Sequence, residues 1–188
     1  MDLETINSYC KQFCDLTPEK EQLLQTIGPD LLPYLPAITE AFYAHLLEIE
    51  AAQLFLEGRV EALKKTHLEW LSSLFTKTLN DKFAAHLYHI GEVHVQVKLP
   101  ADFMTGAITY LQQKLIHVAV YLYGNDPVKV LNVSQALNSL FGYNLQVMQL
   151  SYQQSMITAE LSRFLNVTGI SHKLFSNMVA AYNKKPTP

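Results

Sequence analysis

Seven histidines carry most of the chemistry this sequence could perform, and one of them looks misplaced. In IGEVHVQV (90–97), His94 continues a row of Phe83, Leu87, Ile90 and Val97 at spacings of four and three, which puts all five on one helix face. His67 stands in the same way among Val60, Leu63, Trp70, Leu71 and Leu74. A buried neutral imidazole needs a partner for each ring nitrogen, and a metal can be one of them. Two such rings on the apolar faces of consecutive helices, with the Tyr43 phenol on an earlier one, suit a bound metal or haem. The plain alternative for each is a core histidine satisfied by hydrogen bonds.

The other titratable groups offer less. His86 and His89 are three apart, a spacing that can hold zinc, but Glu92 is the only acidic residue that follows closely, and the pair reads as solvent-facing. His45, His117 and His172 have no evident partner and read as surface or structural residues. Cys10 and Cys14 are four apart. A bridge between them would close almost no loop, so free thiols in a reducing cytoplasm are expected.

The elements that position these residues are helical throughout. Leu3, Ile6, Cys10 and Phe13 stripe a first helix over about 3–14. Thr17-Pro18, an N-cap followed by proline, starts a second that is expected to stop at Gly28. A third begins near Pro33 and carries Ile38, Phe42, Tyr43, Leu46 and Leu47. A break around AAQLFLEG (51–58) precedes the helix of His67, which ends near Asn80, and 81–98 is the helix of His94. Pro100 opens an apolar helix that stops at Tyr123-Gly124-Asn125. Asp126-Pro127 caps a last long helix reaching about Leu165, and Ser171 caps a short one after Gly169. The tail KKPTP (184–188) is expected to fray. The prediction is one all-α domain.

Both long helices carry apolar residues on more than one face: Ile116, Val120 and Tyr123 in one, Leu140, Tyr143, Val147 and Leu150 in the other. A helix that is apolar nearly all round needs a second neighbour. A homodimer interface is the leading expectation, a thicker core within one chain the alternative.

Composition narrows the class. The chain has 188 residues, 49% hydrophobic and 16% charged, with a net charge of −3. That balance suits a globular protein and argues against nucleic acid as the main partner. No apolar run is long enough to span a membrane, and the acidic, amphipathic start does not resemble a secretory signal.

Three segments, EAFYAHL (40–46), VEALKKTHLEWLSSLF (60–75) and HIGEVHVQVKLPADF (89–103), together resemble the haem-binding globin domain of globin-coupled sensors and protoglobins. The resemblance runs from about 5 to 160. Its most specific part is Ile-Gly-x-Val-His followed five residues later by Leu-Pro. It implies a globin fold with an extra N-terminal helix, without the short fourth helix of myoglobin, and dimerising through its last two long helices. It implies haem b, with His94 as the proximal iron ligand. It carries over Tyr43, beside Phe42, as the donor of a hydrogen bond to the distal ligand, Leu63 as an apolar distal residue and Trp70 as a packing residue. Leu71, Val93 and Val97 complete the expected cofactor contacts.

The sequence departs from the family pattern at position 67, where relatives place an apolar, Thr or Gln side chain and occasionally His. His67 lies 27 residues before His94 and is expected to reach the iron as a displaceable sixth ligand. It could instead hydrogen-bond within the pocket or turn toward Tyr43. Sensors of this kind usually continue into an output domain. Here residues 1–165 read as the haem-binding globin domain and 166–188 as a short helical extension without a catalytic motif. A stand-alone sensor signalling through a separate partner is the leading expectation, a piece of a larger sensor the alternative. The leading expected function is sensing of a diatomic gas (O2, NO or CO) or of redox state. A bis-histidyl electron-transfer protein, or one oxidising NO with an external reductase, is the alternative. A haem-free interaction module is a third reading, and the motif around His94 argues against it.

Overall fold

The computed structural model describes residues 2–183, and among them the chain is helical with no strand. The helices are α1 (Leu3–Phe13), α2 (Pro18–Leu31), α3 (Leu35–Leu47), α4 (Glu50–Leu56), α5 (Val60–Thr76), α6 (Asp81–Gln96), α7 (Ala101–Tyr123), α8 (Pro127–Thr168) and α9 (His172–Asn183). The predicted tail, 184–188, lies outside the described residues.

Most starts follow from short polar side chains that accept the otherwise unpaired N–H groups of a first turn. Asp2 accepts from the Thr5 N–H, Thr17 from Lys20, Asn80 from Lys82 and Phe83, Asp126 from Lys129, and Ser171 from Leu174. α8 ends at Gly169, whose φ of +70° is the left-handed conformation glycine tolerates best.

Two expected boundaries move. α2 does not stop at Gly28 but continues to Leu31, with Pro29 inside it, and a 3-10 turn (Leu32–Tyr34) leads into α3. Gly28 serves a crossing instead: a Cβ there would stand 3.0 Å from the Phe75 carbonyl oxygen and 3.1 Å from its Cβ, so α2 and α5 approach closely. The expected break after α3 contains a helix of its own, α4, whose Ala52 and Leu56 are buried one turn apart.

α8 is the spine of the core, packed against α1, α2, α6 and α7. This accounts for its apolar residues on several faces. Leu140, Tyr143 and Val147 are fully buried and Tyr123 nearly so, all within this one chain. Ile116 and Leu150 are partly buried against the same core, leaving Val120 as the exposed member of the set named for a dimer contact. The second neighbour these faces require is therefore largely internal. Among the described residues, no helix is long and apolar enough to cross a membrane.

Candidate functional site

The position of His94 is set from two sides of its helix. Gly91 brings α6 against α8 so closely that an added Cβ would lie 2.5 Å from the Met148 carbonyl oxygen and 2.9 Å from Ser151 Cβ. The Ser151 hydroxyl donates to the Tyr88 carbonyl across the same contact. Beyond His94 the chain leaves α6 through Lys98, in a left-handed conformation at φ +56°, and the Leu99 N–H donates to the His94 carbonyl at 2.9 Å. The Tyr152 phenol then donates to the Leu99 carbonyl at 3.0 Å, which fastens this corner to α8 as well. The Gly and the Leu-Pro that flank His94 in sequence are thus the backbone supports of its helix turn.

His94 faces a cavity of about 510 Å3 between α3, α4, α5, α6 and α7, with Met148 of α8 at its wall. This is the size range of cofactor pockets. Phe42, Tyr43, Leu63, His67, Val93 and Val97 all line it, as does Trp70. Leu71 does not. It is fully buried, but the cavity side of α5 follows Leu63, Thr66, His67 and Trp70, and the next residue turns about 100° away into the core.

Among the described residues, three polar atoms are buried here without a hydrogen-bond partner: His67 Nε2, Trp70 Nε1 and His94 Nδ1. Such atoms are rare and ask for an explanation. The His67 ring stacks on Phe42 with centroids 4.9 Å apart and meets the Tyr43 ring edge-on at 5.7 Å. Its other nitrogen, Nδ1, lies 3.3 Å from the Thr39 hydroxyl. Burial pushes the His67 pKa down to about 4 and lowers that of His94. Both rings are therefore neutral at physiological pH, the form that ligates metals. Burial pushes the Tyr43 phenol up to about 12, so it keeps its proton as a donor.

The remaining histidines lie outside this arrangement. His86 is exposed, His89 stands at the rim of the cavity with Nδ1 3.2 Å from Glu92 Oε2, and among the described residues no His, Cys, Asp and Glu gather as a metal site. His45 stacks on Tyr110 at 4.7 Å, a partner the sequence did not suggest. His117 and His172 are exposed. Cys10 and Cys14 are free thiols. Thr39 and the α7 wall (Phe103, Met104, Ile108) also escaped the sequence reading, although Thr39 shares the face of Phe42 and Tyr43 at helical spacing.

The protoglobin family profile matches residues 4–158. This chain belongs to the protoglobin family. Its structure is similar to the globin domain of a Geobacter sulfurreducens globin-coupled sensor, with 26% identity and a TM-score of 0.72 over 77% of this chain and 96% of that one. It is also similar to the globin domain of E. coli DosC in a ferric form, at 15% identity and a TM-score of 0.64 over 77% and 98% of the two chains. At that identity the second likeness is one of fold. No curated protein sequence matches the chain. Membership of the protoglobin family implies haem binding. The cavity of this protoglobin fits that group, since haem asks for an apolar slot and a neutral imidazole nitrogen. The unpaired Nε2 of His67 and the neutral ring of His94 answer the second demand.

Proposed function

We propose that this protoglobin binds haem b in the apolar cavity and senses a diatomic gas, with His94 as the proximal ligand and His67 as a displaceable ligand on the other side. Haem supplies an iron that takes a protein nitrogen on one face and a gas or a second nitrogen on the other. The observation that carries the reading is the pair of neutral, incompletely bonded imidazoles on the wall of one apolar cavity. His94 would ligate through Nε2, from the wall of the cavity that α6 supplies. His67 offers Nε2 from α5 and must yield its place when gas binds, which lowers apparent affinity by the fraction of molecules in which it is bound. Tyr43 donates a hydrogen bond to a polar ligand. Phe42, Leu63, Val93 and Val97 exclude water and pack against the cofactor.

Retreat of His67 would move α5, and that displacement is a two-state signal that a separate partner protein could read. The likeness to a sensor's globin domain supports this reading. A bis-histidyl electron-transfer role is the second reading, supported by the unpartnered His67 Nε2. We place the protein in the cytoplasm, on its two free thiols. We also propose a homodimer through α7 and α8, on Val120, Tyr121, Val128 and Leu131, which stay exposed where these helices meet. Leu131→Glu should then yield monomers in sedimentation.

Absorption spectra of the haem-loaded chain test the ligands. A low-spin ferric spectrum that becomes high-spin in His67→Ala, and loss of stable haem in His94→Ala, are expected. Absence of a Soret band after reconstitution with haemin would sink the reading. Fast CO binding on reduction favours sensing, and slow or incomplete binding favours electron transfer.

A further inference from the structure

Thr39 sits on α3 one turn before Tyr43, is 2% exposed, and places its hydroxyl 3.3 Å from His67 Nδ1. Among the described residues, no other hydrogen bond holds the His67 ring. Phe42, Tyr43 and Trp70 surround it with aromatic contacts, which limit its position but leave the choice of proton-bearing nitrogen open. A neutral imidazole carries its proton on one nitrogen only, and the nitrogen that ligates must be the other.

We propose that Thr39 is the positioning residue for His67: its hydroxyl oxygen accepts from Nδ1–H, which leaves the lone pair on Nε2, the nitrogen without a hydrogen-bond partner, available to a metal. The inference rests on the reading of His67 as an iron ligand and extends it to a residue beyond the ligand itself. Two features suit Thr39 to the task. It stands on a different helix from His67, so the bond fixes the ring against a second element as well as against its own backbone. And it is buried, so water does not compete with Nδ1–H for its oxygen. A partner that holds the non-ligating nitrogen of a histidine commonly changes metal affinity by about 10–100-fold when it is removed.

The test compares Thr39→Val, Thr39→Ser and His67→Ala in the full chain loaded with haem. Thr39→Val keeps the shape and deletes the hydroxyl, so the ratio of low-spin to high-spin ferric protein should fall by about tenfold or more, with faster CO binding after reduction. Thr39→Ser should restore both values toward wild type, which a general packing role would not produce. Should Thr39→Val fail to fold, Thr39→Ala carries the same expectation. An unchanged spectrum in Thr39→Val or Thr39→Ala, with His67→Ala converted to high-spin, overturns the role of Thr39 and leaves ligation standing. A Thr39→Ser variant as high-spin as Thr39→Val also overturns it. If wild type and His67→Ala share one spectrum, the ligation reading falls, and this inference with it.

Discussion

At the scale of single residues, the cavity combines two neutral imidazoles with a phenol that does not give up its proton. Tyr43 has its pKa pushed to about 12 by burial, so across any physiological range it can donate a hydrogen bond and cannot act as a base. A donor of this kind distinguishes ligands by polarity, because a bond to a ligand that gathers negative charge is worth more than one to a nearly neutral ligand. Tyr43→Phe should therefore speed O2 dissociation by roughly 5–30-fold, the equivalent of about 1–2 kcal/mol. CO dissociation, followed by stopped flow on the same samples, should change much less. Equal effects on the two gases would show that the hydroxyl acts by its bulk rather than by a hydrogen bond to the ligand.

At the scale of elements, the site depends on how closely α6 lies on α8. Gly91 is a point of close approach, and the atom in the way of a side chain is a backbone oxygen that cannot turn aside. Gly91→Ala should destabilise the fold by about 1–3 kcal/mol and speed haem release, since the shifted helix carries His94. Gly106→Ala is the control: nothing lies within 4 Å of its Cβ position, and alanine should stabilise α7 by about 0.5–1 kcal/mol. Thermal unfolding of the two variants should move in opposite directions. These two glycines also show what was legible in the sequence. Periodicity gave the helices, the caps at Thr17, Asp126 and Ser171, and the apolar faces bearing His67 and His94. It did not separate a glycine that ends a helix from one that admits a neighbour. Gly28 looked like a stop because its reason, the Phe75 backbone, lies on another helix. α4 was missed because a helix with two buried positions has too little pattern to see. Thr39 was missed because its partner, His67, is 28 residues away.

At the scale of the whole molecule, the N-terminal helix is tied to the helix of His94 by a buried polar link. The Asn7 amide donates to Asp81 Oδ1 at 2.7 Å, and its oxygen accepts from the Tyr143 phenol at 2.8 Å. One side chain of α1 thereby joins the first turn of α6 to the middle of α8. Tyr143 is fully buried, so water cannot replace a lost acceptor there. Asn7→Ala should cost about 1–3 kcal/mol in urea unfolding, with faster amide exchange concentrated at the start of α6. Asn7→Asp separates the bond from the shape. At neutral pH it sets a second carboxylate beside Asp81, which repels where the amide attracted, and the loss should exceed that of Asn7→Ala. As pH falls into the carboxylate range, one of the two carboxyls takes up a proton and can donate to the other. The gap between Asn7→Asp and wild type should then narrow, because the charged pair is the folded state's liability and protonation relieves it. A gap that stays constant with pH would mean that Asn7 contributes packing alone, and that α1 is held to α6 by its apolar face.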